Sequence, residues 1–289
     1  MIKKAKESLE AWRHPVRSPE LKGHIKYFWT LRQLEPFSVD HVLIPVSNID
    51  TIYNLGAPIF YLFPDREMEI CGTHVLGVRN TSVRVLQSAP IVMIGVSFDD
   101  FSALPFLKRP LRNLAHRIID VERKEDALPP PIPPEMDAQH LLFESGVDFG
   151  ECLSVLESAW LRRADFTLGP SEEELRILHA FREKEDKESI LSFCQRADEH
   201  PKKLERMLYK YVGLPPKQYT EIRRAQRLHA EMIRGEGLEL AHAAFDFGYF
   251  DQSHMNRSVR KLFSTSPARL QKGNVTAKSI IRTSDCDRM

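Results

Sequence analysis

The stretch FDFGYFDQSHMNRSVRKLFSTSPARL, residues 245 to 270, carries the pattern that decides the fold. It includes the turn DFGYF, where Gly248 is free to take a positive φ, and Asp251 is placed to cap the next helix at its N-terminus. The helix before the turn holds the apolar residues Leu240, Ala241, Ala244 and Phe245. The helix after it repeats apolar residues at helical spacing, namely Met255, Val259 and Leu262 or Phe263. Two helices joined by a short turn predict a helix-turn-helix unit.

A second copy of this plan lies upstream in ILSFCQRADEHPKKLERMLYKYVGLPP, residues 190 to 216. A short helix over about 188–196 is followed by the turn ADEH, and Pro201 fits the first position of the next helix because it lacks an N–H. Gly213 is expected to end that helix in a left-handed conformation. Its apolar face consists of Leu204, Met207, Leu208 and Tyr211. Leu204 and Met255 occupy matching places 51 residues apart, which indicates an internal repeat.

Between the two units, QYTEIRRAQRLHAEMI predicts a long helix that would set the separation of the two repeated helices. Its inward residues are Ile222, Ala225, Leu228 and Met232.

The net charge of +1 conceals an asymmetry along the chain. From His200 to Lys272 there are 14 Lys and Arg against 7 Asp and Glu, and the remainder has 27 against 33. Such a basic block predicts a surface for a polyanion, although a solvated helical face would give the same count.

A helix fits the major groove of duplex DNA, where Arg can bond guanine, Gln or Asn adenine, and Glu cytosine. Basic side chains further along the helix suit phosphates. The candidate DNA-binding residues are therefore Lys202, Lys203, Glu205, Arg206, Lys210, Gln252, Ser253, Asn256, Arg257, Arg260 and Lys261. Pairing with a nearby carboxylate is the alternative for Arg206 and Arg257.

Residues 172–271 resemble the AraC/XylS family of bacterial transcription regulators, most specifically in the stretch 245–270. The resemblance implies two helix-turn-helix subdomains joined by a long helix. By it, Lys202, Lys203, Glu205 and Arg206 fall on the first recognition helix, and Gln252, Ser253, Asn256 and Arg257 on the second. The departures from the family pattern are His200 and Pro201 at the first helix start, Met255 and Val259 for an aromatic, and Ser264 for a glycine.

Residues 25 to 98 predict strands, because six short runs rich in Val, Ile, Tyr and Phe are separated by turn residues. Their spacing is typical of an all-β sandwich or barrel. The family resemblance implies a cupin-like sensor and dimerisation region here. The fold class expected is thus α+β with two domains.

PPPIPP, residues 129–134, is either a domain connection or a surface loop. The sequence after it favours helix up to residue 163, with Leu153, Leu156 and Trp160 on one stripe. A boundary is expected near Gly169-Pro170, and Ser171 opens a capping box with Glu174. The expected domains are 1–168, 171–272 and a polar tail, 273–289.

Tyr27, Trp29, Asp50, Tyr53 and Asn54 are the candidate ligand-binding residues of the β-rich region. Three positions, Pro45, Asp50 and Asn54, are similar to a turn found in some such regulators. His24, His41, His74 and Glu69 could ligate a metal, but the His-X-His spacing of metal-binding cupins is absent from the sequence. No metal, cofactor or enzymatic activity is therefore expected.

The 289 residues contain no apolar run long enough to cross a membrane, and the four cysteines form no CxxC pair. A cytoplasmic location with reduced thiols is expected. The functional expectation is a homodimeric, sequence-specific transcription regulator that binds duplex DNA, with RNA polymerase as a further partner and a small-molecule effector. The alternative is constitutive DNA binding, with the β-rich region only dimerising or binding a protein. Effector, target genes and the choice between activation and repression stay open.

Overall fold

The computed structural model describes residues 10–35, 38–121, 129, 149–234, 240–271 and 282–283. Most of the proline-rich stretch 129–134, the helix expected over 137–148 and most of the polar tail 273–289 lie outside the described residues. Strands dominate up to residue 120 and helices dominate from residue 149 to residue 271. The expected order, a β-rich region followed by a helical region, is confirmed.

The β-rich region contains the six strands expected between residues 25 and 98 and several shorter ones. The strands are β1 (Glu10–His14), β2 (Ile25–Gln33), β3 (Ser38–Leu43), β4 (Asp50–Asn54), β5 (Ile59–Leu62), β6 (Glu67–Ile70), β7 (His74–Leu76), β8 (Val83–Ser88), β9 (Ile91–Phe98), β10 (Ile118–Asp120) and, near the C-terminus, β11 (Arg282–Thr283). The sequence did not predict β1, β6, β7, β10 and β11, the last of which lies in the expected polar tail, because runs of two to five residues are too short to show a period of two.

The strands form two sheets that pack face to face. A seven-stranded sheet has the order β10-β7-β4-β9-β2-β1-β11, and a four-stranded sheet has the order β3-β8-β5-β6. Apolar residues of both sheets, such as Trp29, Ile52, Tyr61 and Val85, join in one buried cluster between them. The expected sandwich is therefore present.

The seven-stranded sheet is buried on both faces, which explains why its strands are apolar almost throughout. Trp29 points toward the four-stranded sheet, whereas its neighbour Phe28 belongs to a second core on the opposite face. Trp29 pairs across the strands with Gly95, and a Cβ at position 95 would lie 1.8 Å from the indole ring. Only glycine at this position leaves room for the ring.

The helices are α1 (Leu104–Leu107), α2 (Phe149–Arg163), α3 (Glu172–Glu183), α4 (Ile190–Arg196), α5 (Pro201–Tyr211), α6 (Pro216–Arg234), α7 (Leu240–Asp246), α8 (Gln252–Phe263) and α9 (Pro267–Gln271). The predicted stripe of α2 is buried, with Leu156 and Trp160 fully inaccessible. The predicted capping box starts α3, where the Ser171 side chain accepts from the Glu174 N–H and the Glu174 carboxylate accepts from the Ser171 N–H.

The second core extends from the outer face of the seven-stranded sheet through α2 to α9. It crosses Gly169-Pro170 without interruption, since buried residues on both sides belong to the same cluster. The sheet and the helices are therefore held together by continuous apolar packing, and the boundary near 169–170 stays a prediction.

Candidate nucleic-acid interface

The first predicted helix-turn-helix unit consists of α4 and α5. Pro201 is the first residue of α5, and His200 caps it because its Nδ1 accepts from the Lys202 N–H at 3.1 Å. The four predicted core residues, Leu204, Met207, Leu208 and Tyr211, are buried. Gly213 follows the helix with φ +91°, as its sequence position predicts.

The second predicted unit consists of α7 and α8. Gly248 in the turn has φ +67°, and a Cβ there would lie 2.7 Å from the backbone of Asp186. Asp251 caps α8, since its Oδ1 accepts from the His254 N–H at 2.6 Å. Ser264, which replaces the family glycine, takes the same left-handed conformation that glycine favours, with φ 56°. The residues predicted to be inward, Met255, Val259, Leu262 and Phe263, are all buried.

Phe245, one of the apolar residues of α7, is not buried. Its exposed fraction is 66%, and Lys187 Nζ lies 3.6 Å from the centre of its ring. Ala244 is buried as expected, while the side chains of Leu240 and Ala241 lie outside the described ones. Phe245 faces away because the turn docks through Gly248 and Tyr249 instead.

The long helix between the units is α6, of 19 residues. Its predicted inward residues, Ile222, Ala225, Leu228 and Met232, are all buried. At 1.5 Å per residue it is about 28 Å long, comparable with the ~34 Å of one turn of DNA.

On α5, the predicted DNA-binding residues are not equally available. Lys202, Glu205, Arg206 and Lys210 are exposed. Lys203 is engaged within the protein, because its Nζ lies 2.9 Å from Glu199 Oε1 and 3.1 Å from Glu173 Oε1. The hydrogen bonds that Lys203 donates to Glu199 and Glu173 raise the pKa of Lys203. Among the candidates on α5, Lys203 is thus the residue least available to contact DNA.

Lys210 also has a contact of its own, since its Nζ donates to the Tyr211 hydroxyl at 2.7 Å. Lys202 and Arg206, by contrast, have no side-chain ion pair or hydrogen bond with any residue that the structure describes. The alternative of a carboxylate partner for Arg206 is seen only as a charge interaction with Glu174, without a hydrogen bond or ion pair in the described residues. The N–H groups of its guanidinium are therefore available to a ligand.

On α8, Gln252, Ser253, Arg257, Arg260 and Lys261 are exposed, and Asn256 is half-buried. Lys261 Nζ lies 3.5 Å from Glu221 Oε2 on α6. Within the described ranges, no carboxylate pairs with Arg257 or Arg260. The exposed polar face of α8 therefore presents two arginines without an intramolecular partner.

Two aromatic residues at this surface were missed in the sequence. Tyr209 is 40% exposed on α5, one turn after Arg206 and on the same side. Because residues three apart on a helix lie on the same face, its spacing from Arg206 could have indicated that Tyr209 is exposed beside that arginine. Phe250 is 92% exposed in the turn just before Asp251, and no pattern in the sequence signals that it points outward.

The five candidate ligand-binding residues of the β-rich region do not converge on one site. Trp29 lies between the sheets, whereas Tyr53 lies in the second core with Trp160. Asn54 Nδ2 donates to the carbonyls of Ala57 and Cys71, which holds a turn together. These three side chains serve packing or turn formation.

Asp50 and Tyr27 form part of a buried polar cluster instead. Asp50 Oδ1 accepts from Ser97 Oγ at 2.6 Å and from Asn48 Nδ2 at 2.9 Å. Burial raises the pKa of Asp50, and burial followed by the Asp50 charge raises that of Tyr27. Arg79 is buried nearby, where the Asp50 carboxylate opposes the lowering of its pKa by burial.

The four candidate metal ligands are dispersed in the β-rich region. His24 lies against Phe106 and Phe166, and His74 Nε2 is 2.6 Å from the Tyr61 hydroxyl. His41 is on β3 and Glu69 is on β6. Among the described residues, no group of three or more His, Cys, Asp or Glu is arranged to hold a metal ion.

Two family models match the chain. A model described as a helix-turn-helix domain matches residues 193–273. A domain of unknown function, DUF6597, matches residues 16–120, which cover most of the β-rich region. No curated protein matches the sequence. In the part of the chain that is described, no helix is long and apolar enough to cross a membrane.

Solved structures show a distant similarity. ToxT from Vibrio cholerae is 11% identical over 85% of this chain and 98% of its own, with a TM-score of 0.43. The C-terminal domain of AraT, a response regulator from Geobacillus stearothermophilus, is 16% identical over 38% of this chain and 91% of its own, with a TM-score of 0.34. The AraC-like transcriptional activator CuxR is 12% identical over 78% and 88%, with a TM-score of 0.28.

These identities and TM-scores are too low to transfer a ligand or a partner. The match at residues 193–273 covers most of both repeated units, from within α4 to beyond α9. The C-terminal region of this chain therefore matches a helix-turn-helix domain family over residues 193–273.

Proposed function

We propose that this DNA-binding transcription regulator reads two adjacent major-groove segments of duplex DNA, one with α5 and the other with α8. The observation that carries the proposal is the matched pair of exposed helices, each with an exposed arginine that makes no hydrogen bond or ion pair within the described residues. Arg257 of α8, together with Gln252 and Asn256, supplies the chemistry for base edges. Arg260 and Lys261 are suited to phosphates.

Selection of bound fragments from random duplex DNA tests the proposal. We expect a site with two short conserved blocks about one helical turn, ~10 base pairs, apart. DNA binding that is absent, or that does not weaken with salt, would contradict the proposal, since phosphate contacts release counterions.

Two substitutions on α8 then separate base contact from phosphate contact. Arg257→Ala should cost about 1–3 kcal/mol of binding free energy and relax the sequence preference at one position. Lys261→Ala should weaken all sequences alike, because phosphates carry no sequence information. Equal losses of specificity in both variants would contradict these roles.

We further propose that a small molecule with a carboxylate group controls DNA binding from the β-rich region. The support is the buried guanidinium of Arg79, whose Nε has no hydrogen-bond partner among the described residues and whose Nη1 and Nη2 make only long hydrogen bonds, of 3.5 and 3.4 Å, to the carbonyls of Gly77 and Ile44. A carboxylate is the natural bidentate partner for such a group. The alternative is constitutive DNA binding, with the β-rich region serving only for dimerisation or for a protein partner.

A thermal-shift screen with small carboxylic acids separates the two. A ligand at 100 times its dissociation constant should add about 2.7 kcal/mol of stability. Arg79→Lys should reduce the shift, because an ammonium cannot form the paired hydrogen bonds. If no acid stabilises the protein, constitutive binding is favoured.

The proposal includes a homodimer, contact with RNA polymerase and a cytoplasmic location. Sedimentation of the full chain with and without its DNA site measures the dimer. In vitro transcription with added polymerase tests the contact and decides between activation and repression.

A further inference from the structure

A groove runs between α5 and a segment of the β-rich region. Its volume is about 850 Å³, and one wall is the exposed side of α5. The other wall is formed by residues 108–112, which follow α1 and run into the short helical turn Leu111–Asn113. We call this space the α5 groove. Its lining residues include Lys108, Arg109, Arg112, Lys202, Arg206 and Lys210.

The α5 groove is strongly basic. Among the described residues that line it, six are Lys or Arg and Glu205 is the single acidic one. Three of the six cations belong to α5 and three to segment 108–112. Lys108 and Arg112 are exposed, and neither makes a side-chain hydrogen bond or ion pair in the part of the chain that is described, although the charge of Lys108 acts on Asp165. Two parts of the chain at least 90 residues apart therefore direct positive charge into one space.

Segment 108–112 is held firmly beside α5. Leu111 is fully buried in the core that it shares with the helices. Its carbonyl lies so close to Gly213 that a Cβ at position 213 would be 2.6 Å from the oxygen. Lys108 ends α1 in a left-handed conformation with φ 52°, which terminates that helix at the groove. The basic side chains are thus presented from an anchored backbone.

We propose that the β-rich region takes part directly in DNA binding, with Lys108 and Arg112 contacting phosphates of the DNA strand that borders the segment read by α5. This inference rests on the proposed function, since α5 must approach DNA for the groove to be filled. The groove shares Lys202, Glu205, Arg206 and Tyr209 with the exposed face of α5. A phosphate backbone lying along α5 would therefore pass between the two basic walls.

The charge of the groove favours a polyanion over a single small anion. Its cations are spread along two walls and do not converge on one buried point, and at least Lys108, Arg112, Lys202, Arg206 and Lys210 are open to solvent. Exposed cations of this kind act by displacing condensed counterions from DNA.

The experiment measures the affinity of the full chain for its selected DNA site across a salt series. In the double variant Lys108→Ala/Arg112→Ala, two phosphate contacts are lost. The slope of log affinity against log salt should become shallower by about 1.8, and binding at low salt should weaken about ten-fold or more. The preferred DNA sequence should stay the same, because phosphate contacts do not read bases.

A matched control removes two exposed charges that do not line the groove, in Lys22→Ala/Arg66→Ala. This variant should keep the salt slope of the wild type. Thermal unfolding of both variants should match the wild type, which verifies that the folded state is retained. A loss of slope in the control as large as in the test variant would show that overall charge, and not the groove, is responsible.

Other outcomes overturn the inference. If Lys108→Ala/Arg112→Ala binds DNA with the wild-type slope, Lys108 and Arg112 do not contact phosphates in the complex, and the inference is wrong. If it binds more tightly, segment 108–112 obstructs α5 and does not assist it. If the wild-type chain itself shows no salt-dependent DNA binding, the proposed function fails first, and that result is distinct from a failure of the groove alone.

Discussion

At the scale of single residues, His74 shows how burial settles the protonation state of a side chain. Its Nδ1 faces the Gly72 carbonyl at 3.0 Å, and a carbonyl can only accept, so Nδ1 carries the proton. Its Nε2 then accepts from the Tyr61 hydroxyl at 2.6 Å. Both ring nitrogens are satisfied in the neutral form, and burial lowers the pKa of His74 to about 4.

This shift predicts a loss of stability in mild acid. The ordinary pKa of 6.5 applies to the unfolded chain, so between pH 6.5 and 4 the unfolded state binds a proton that the folded state does not. The contribution of about 3 kcal/mol is complete above pH 6.5 and is lost as the pH falls toward 4. His74→Gln should flatten this dependence in denaturant unfolding measured from pH 4 to 7.

The flattening should be partial, because burial also lowers the pKa of His41 to about 4 and that histidine remains in the variant. Unfolding free energies that do not change between pH 4 and 6.5 in the wild type would refute the assignment of a neutral buried His74.

At the scale of helices, the two proposed reading helices start with different caps. Asp251 caps α8 with a carboxylate oxygen, which also carries a negative charge to the positive end of the helix. His200 caps α5 through a ring nitrogen, which is a rarer solution. Both caps satisfy one N–H of the first turn, and both place that turn at the surface.

The contribution of the Asp251 cap to the stability of the protein should be measurable. Asp251→Ala should lower the free energy of unfolding by about 1 kcal/mol, because the His254 N–H loses its acceptor. Asp251→Asn keeps an acceptor oxygen and should lose much less. DNA affinity of the alanine variant should fall as well, since the first turn of α8 carries Gln252 and Ser253. Equal stability of the two variants in denaturant unfolding would show that the cap contributes nothing.

At the scale of the whole molecule, the β-rich region is connected to the helices by a buried junction at Asp100. Its Oδ2 accepts from the Tyr219 hydroxyl of α6 at 2.7 Å, and its carboxylate also accepts from Ser47 Oγ. Burial raises the pKa of Tyr219 well above its ordinary value, so the hydroxyl keeps its proton and donates it. Beside this junction, Arg182 of α3 pairs with Asp99 at 3.3 Å.

Removing the junction hydrogen bond should weaken the entire fold. Tyr219→Phe leaves the Asp100 carboxylate with one donor fewer and should cost about 1–3 kcal/mol of unfolding free energy. Tyr209→Phe is the matched control, because its hydroxyl is at the surface and has no partner in the described ranges. Because one core joins both regions, a single unfolding transition should shift in the junction variant. Identical stabilities of the two variants would refute the role of the junction.

The sequence by itself determined the features that depend on near neighbours along the chain. The start of α3 at Ser171, the start of α5 at Pro201 and the turn at Gly248 follow from capping and from φ preferences, which are local. The buried stripes of α5, α6 and α8 follow from a period of 3.6 residues, and they identify the helix-turn-helix pattern without any tertiary contact.

Only the tertiary structure decided the features that depend on distant contacts. The exposure of Phe245, the pairing of Lys203 with Glu173 and the opposite faces of Trp29 and Tyr53 all depend on what packs against them. The α5 groove is the clearest case, since it exists because Leu111 packs against Gly213, 102 positions away. No periodicity or spacing encodes that meeting, because it results from burial of a core shared by the two regions.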